Sequence, residues 1–246
     1  FWLKQPSPEL LTFFPSPLPP MAPSALAVVA LAAVTAWARQ AAADCSVEAV
    51  AKLRSDAVKS GFEAKALEGL WYEHAYIDPA QVGASCQTLN ATLNAATGEV
   101  ATDFSVLYGP LPFTIQEFYE PVDPALKGVF KKHVKIPFNI PGGSLVTLPT
   151  AVVDVQTSSD GSRYETLIMH SCLAVVNELV VATRTPTVEQ EALQAMLQTA
   201  RERGVSFQES SVNFVDRSKC STVASAPSQA LRPMLQTLQT MSQIMV

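Results

Sequence analysis

Gly69-Leu70-Trp71-Tyr72-Glu73 decides how this chain is read. The five residues open an apolar-aromatic run that continues through Tyr76 and Ile77, downstream of an isolated cysteine, Cys45. Aromatic side chains suit a pleated, half-buried surface, so the run predicts a strand. A tryptophan so early in a strand needs partners, and the fold depends on whether the rest of the chain supplies them.

The chain divides by composition. Residues 1–20 are Pro-rich and read as an upstream leader outside the mature protein. Residues 21–43 read as a signal peptide. Their apolar run, Ala25–Ala36, is too short for a membrane span of ~20 residues, and Ala41-Ala42-Ala43 has the form of a signal-peptidase site. Residues 44–220 then form one domain, and 221–246 a poorly ordered or helical tail. A secreted, extracellular protein is expected. The net charge is −5, and the basic clusters are no denser than Lys131-Lys132. Nucleic acid is excluded as a partner, because affinity for phosphate rests on clustered Lys and Arg.

Four cysteines, Cys45, Cys86, Cys172 and Cys220, lack the close spacing of a metal or redox site. An even count in an exported chain predicts disulfides. Spacing alone leaves all three pairings open. No metal is expected, since no histidine stands at ligand spacing from a cysteine.

Residues 46–66 read as a short helix or turn-rich entry. From Gly69 onward, strand-like runs are predicted over 70–77, 86–93, 100–108, 113–119, 128–136, 150–157, 163–173 and 176–183. Ala96-Thr97-Gly98, Pro121–Pro124, Pro141-Gly142-Gly143 and Ser158–Ser162 punctuate them. Asp160-Gly161 is a hairpin signal. Eight consecutive short strands predict an all-β fold, an up-and-down antiparallel barrel or a sandwich. Closure removes exposed edges, and eight strands leave room for one small ligand.

One helix follows. Thr187 and Gln190 have the spacing of a capping box. Leu193, Met196, Leu197 and Ala200 form an apolar stripe, expected to lie on the outside of the barrel, and Gly204 stops the helix. A short strand over 211–215 precedes Cys220. The tail carries Leu231, Leu235, Leu238, Met241 and Met245 at near-helical spacing. Arg232 is its only basic residue, which is little for a lipid surface. A lipoprotein or membrane-surface contact is kept as an alternative, and oligomeric state is left open.

The combined pattern resembles the lipocalins, in their apolipoprotein D-like branch, over about 44–220. The resemblance rests on Gly69–Glu73, on Cys86-Gln87-Thr88-Leu89-Asn90, on Tyr164–Cys172 and on Ala182-Thr183-Arg184-Thr185-Pro186-Thr187, followed by helix, short strand and Lys219-Cys220. The family's middle motif, Thr-Asp-Tyr, is represented by Val153-Asp154-Val155. The resemblance implies an eight-stranded up-and-down β-barrel with one C-terminal helix packed outside. It implies the bridges Cys45–Cys172 and Cys86–Cys220. It also implies a closed end where Gly69, Trp71 and Arg184 meet, the guanidinium stacked on the indole.

No phosphate loop, zinc motif or nucleophile elbow is present. With every cysteine at a bridge position, no thiolate remains as nucleophile, so no catalytic residue is assigned. His74, His133 and His170 are expected on walls or surface. Glu73 and Glu117 would form an interior acid pair only by coincidence of facing, and rim or exterior carboxylates are expected. Ligand-lining candidates come from strand alternation: Glu73 and Ala75 in phase with Trp71, Phe104, Val106 and Tyr108 on the third strand, Phe113 and Ile115 on the fourth, with Phe130 and Val180. Asn90-Ala91-Thr92 is a glycosylation sequon whose use requires Asn90 to face outward.

The expected function is secreted carriage of a small hydrophobic ligand: a lipid, sterol, retinoid, carotenoid or tetrapyrrole, as the resemblance implies. The ligand is held non-covalently and no other cofactor is expected. The alternatives are an enzyme acting on a lipid or carotenoid in the same barrel, and an extracellular interaction protein with a filled barrel.

Overall fold

The computed structural model describes residues 45–135, 147–173, 176–218 and 220. The expected leader, signal peptide and tail lie outside these residues, as does most of the Pro/Gly-rich connection at 137–149. The strands are β1 (Gly69–Ile77), β2 (Ala84–Leu93), β3 (Val100–Tyr108), β4 (Leu111–Pro121), β5 (Val129–Lys135), β6 (Thr147–Thr157), β7 (Tyr164–Leu173) and β8 (Val176–Thr183), with a short β9 (Asn213–Phe214). Each of β1 to β8 corresponds to one of the eight predicted runs, with ends that differ by up to three residues. Among the described residues the α-helices are α1 (Val47–Lys52), α2 (Asp56–Gly61) and α3 (Gln190–Glu202).

All neighbours are antiparallel, in the order β2-β3-β4-β5-β6-β7-β8-β1, and β1 also pairs with β2, so the sheet closes into an up-and-down barrel. Period-2 alternation drives this: along β3, Val100, Thr102, Phe104 and Val106 are buried and the residues between them are not. Connections are tight. Gly109, at φ 59°, lies in the two-residue turn left by the Tyr108–Leu111 pair, a conformation that favours glycine.

Closure between β1 and β2 is brief, running only from Gly69↔Ala91 to Tyr72↔Thr88. Beyond Tyr72, β9 pairs instead with Ala75 and Tyr76. Arg217 finishes this seam. It stacks 5.1 Å from the Tyr72 ring and donates to the carbonyls of Glu73 and Gln87, both at 2.6 Å. Cys86–Cys220 fastens the segment, and Cys45–Cys172 fastens the N-terminal entry to β7.

The entry forms α1 and α2, capped by Ser46 on the Ala49 amide and Ser55 on the Val58 amide. Val58 and Phe62 join the interior cluster, and a Cβ at Gly128 would come within 2.7 Å of Val58. Helix α3 buries Leu193, Met196, Leu197 and Ala200 against Ala75, Val153, Ile168, Leu179 and Val181 on the outer wall. Leu193, Met196 and Leu197 each contribute about 1.5–3 kcal/mol on full burial. The helix ends at Gly204 in a Schellman turn, with Val205 N–H donating to Ala200 C=O. Its start differs from expectation. Glu189 stands at the N-cap without a side-chain bond, and the Thr187 carbonyl accepts from the Thr185 hydroxyl, so Thr187 belongs to the preceding turn and no capping box forms.

Candidate functional site: a sealed base under a polar belt

The interior has a floor, a belt and a mouth. At the floor, Trp71 is 1% exposed and its indole N–H donates to Leu67 C=O at 2.8 Å. Arg184 lies 3.7 Å from the indole centroid. It donates to the carbonyls of Tyr164, Leu70 and Ala66, each at 3.0 Å. Burial is the main cause lowering its pKa to about 10, so it remains charged at neutral pH. Gly69, at φ 96°, brings the backbone beneath this guanidinium, and a Cβ there would stand 3.4 Å from it. Gly69, Trp71 and Arg184 are thus gathered at one end. Above Trp71 lies an apolar void of about 20 Å³, lined among others by Leu89, Ala91, Phe130, Leu167 and Met169. That is room for about one water.

Above the floor, every wall strand turns a polar side chain inward: Glu73, Gln87, Thr102, Glu117, Lys132, Thr150, Ser171 and Glu178, in order from β1 to β8. Lys132 is the hub, bonding Glu117 at 2.8 Å and Glu178 at 2.9 Å. The Tyr119 hydroxyl donates to Glu117 at 2.6 Å. Burial by itself would lower the Lys132 pKa, but Glu117 and Glu178 outweigh it and raise it well above the usual lysine value. On the two strands between Lys132 and Glu178, Thr150 donates to Ser171 at 2.9 Å.

Glu73 stands apart from this satisfied network. It is 0% exposed, and neither carboxylate oxygen has a hydrogen-bond partner. The Gln87 side-chain oxygen is also unpartnered. Burial, with Asp78 and Glu117 acting in the same sense, pushes the Glu73 carboxyl well above the usual carboxylate range. A side-chain contact with Gln81, too long or bent for a well-formed hydrogen bond, and the charge of Lys132 offset this only in part.

The mouth is overlaid by the β1–β2 connection. Gln81 is 5% exposed and receives the Gln87 amide at 3.3 Å. Two tyrosines latch this turn: Tyr76 donates to Gln81 C=O at 3.0 Å and Tyr108 to Ala80 C=O at 2.6 Å. Asp78, beneath the turn, is raised to about 6, chiefly by burial and by Glu178.

Of the lining candidates, Phe104, Val106, Phe130 and Val180 belong to the interior cluster, and Tyr108, Phe113 and Ile115 pack against it. Glu73 faces inward as well. Ala75 does not. A bulge between Glu73 and Ala75 shifts the register against β8, so Tyr76 takes the inward place and Ala75 sits under α3. Glu117 is a second correction: it is 6% exposed and inside the barrel, not on a rim. Lys132 and Glu178 were not singled out in the sequence at all. The usable signal was parity: Glu117 shares its face with Phe113 and Ile115, Lys132 with Phe130, and Glu178 with Val180.

The histidines have partners in the wall. His74 meets Thr183 and Thr185 C=O, His133 meets Glu120 and Thr147, and His170 meets Glu178 C=O. Asn90 is exposed on β2.

No protein-family model matches this chain, and no curated protein matches it. Solved structures do. Apocrustacyanin C2 superposes with a TM-score of 0.50 at 10% identity, over 72% of this chain and 89% of that chain. Insecticyanin from the tobacco hornworm Manduca sexta gives 0.49 at 13% identity, over 65% and 82%. H1 crustacyanin from the lobster Homarus americanus gives 0.46 at 10%, over 62% and 77%. At such identities the likeness to apocrustacyanin C2 establishes the fold alone, a lipocalin barrel.

Proposed function

We propose that this chain is a secreted carrier of a small hydrophobic ligand, held non-covalently in the barrel, and that it belongs to the apolipoprotein D-like branch of the lipocalins. The observation that carries the reading is the interior: apolar walls that include Phe104, Phe113, Phe130 and Val180, crossed by the polar belt and sealed below by Trp71 and Arg184. Burying a ligand's apolar surface there contributes about 25 cal/mol per Å², with a few polar groups fixing its orientation. The bridges Cys45–Cys172 and Cys86–Cys220 support an oxidising, extracellular setting and the branch assignment. A ligand entering by the mouth passes the turn at Pro79–Gln81, which Tyr76 and Tyr108 latch. The test is native mass spectrometry of the purified protein after exposure to lipid and pigment extracts. A retained apolar ligand is expected, and failure to bind any would sink the reading.

One observation favours a second reading, an enzyme acting on a lipid or carotenoid. Glu73, Glu117 and Lys132 converge inside the barrel, and a buried carboxyl held neutral is a ready general acid. Recovery of a chemically altered ligand after incubation, lost in Glu73→Gln, would replace carriage by catalysis.

A further inference from the structure

We propose that Glu73 is the headgroup subsite of the barrel, and that it takes a basic amine at the polar end of an otherwise apolar ligand. The proposal rests on the carrier reading and specifies its ligand class.

The geometry is that of a site missing a partner. Buried polar atoms are almost always hydrogen-bonded, and an orphaned one costs stability. Glu73 has two such atoms and Gln87 a third, on adjacent strands. All three oxygens accept when Glu73 is ionised, so the complement is a group rich in N–H donors.

Charge selects among such groups. Glu73, Glu117 and Glu178 confront Lys132, leaving an excess of two negative charges when all are ionised. Lys132 is already held by two carboxylates, so it offers an anionic headgroup no unpaired charge. A fatty-acid carboxylate would meet repulsion from Glu73. An ammonium would meet attraction from Glu73 and Glu117, with Asp78 beyond. The other charged or titratable groups around Glu73 are Lys132, Tyr76 and Arg217. Arg217 reaches the backbone carbonyl of Glu73, not its carboxylate.

Without a ligand, Glu73 relieves its burial by holding a proton. An incoming ammonium replaces that proton, so binding releases it. Below the Glu73 pKa, affinity rises about tenfold per pH unit, and it levels off once Glu73 ionises unaided. The amine stays charged throughout, its pKa being near that of lysine, about 10.4.

The experiment is calorimetric titration of the intact protein with decylamine, decanol and decanoate, in buffers of different ionisation enthalpy and across pH. Decylamine is expected to bind at least tenfold more tightly than decanol at neutral pH, with a proton release that grows as pH falls through the Glu73 pKa. Decanoate is expected to bind worst. In Glu73→Gln, with folding checked by circular dichroism, proton release vanishes and the amine preference falls to within about twofold. Equal amine and alcohol binding without proton release overturns the subsite and leaves carriage standing, as does tightest binding by decanoate. Binding of none of the three overturns both.

Discussion

The base and the belt of this barrel solve the same problem in opposite ways. Both bury charge against apolar walls. At the base, Arg184 spends its donors on three carbonyls and its face on Trp71, and the adjoining polar groups are satisfied. One layer up, Lys132 is equally well paired, yet Glu73 is left with two bare oxygens. Local rules are broken most often where a protein binds or reacts. The contrast teaches that the base is built for stability, while the belt gives up stability to keep one group available.

The largest effects are expected at the two hubs. Trp71→Ala empties the floor and is expected to cost about 3–5 kcal/mol. Lys132→Met strands Glu117 and Glu178 and is expected to cost a similar amount, about 3–5 kcal/mol. Denaturant unfolding of each variant measures this, and a small loss at Lys132 would mean that water already reaches the belt. Arg184→Lys keeps the charge but cannot reach three carbonyls or stack as a plane. It is expected to lose about 1–3 kcal/mol in the same assay.

Glu73→Gln should move the other way. A carboxyl whose folded pKa is raised binds a proton that the unfolded chain has already lost. Stability therefore falls as pH rises from the unperturbed value of 4.5 through the folded pKa, and stays low above it. Thermal melts of the empty protein should decline over that window, with Asp78, raised to about 6, adding to the slope. The glutamine variant should flatten the decline and melt higher at alkaline pH. An unchanged slope would show that Glu73 is solvated and not orphaned. The smallest effect belongs to the outer wall. Asn90 is exposed, so Asn90→Gln is expected to shift stability by less than about 0.5 kcal/mol, and, under the proposed secretion and use of the sequon, to remove a glycan mass.

The strands were legible because alternation and turn residues are local. Val100–Tyr108 and Val176–Thr183 end where their patterns end. Trp71 and Arg184 were legible through family resemblance, since nothing in either residue alone names the other. Ala75 was misread because one extra residue in β1 reverses the parity of all that follows, and a bulge leaves no mark in the residue types. Glu117, Lys132 and Glu178 escaped because a charged residue in an alternating strand is ordinarily exterior. Their facing becomes readable only when three separate strands are phased together. Thr187 failed as a cap because the chain there is already committed to a turn at Thr185.

The two bridges have a topological consequence. Their spans, 45 to 172 and 86 to 220, interleave and neither encloses the other. Any backbone cut between Cys86 and Cys172 leaves one fragment with Cys45 and Cys86 and the other with both of their mates. The halves remain sewn together by two covalent stitches. A nicked barrel would migrate as an intact chain until reduced.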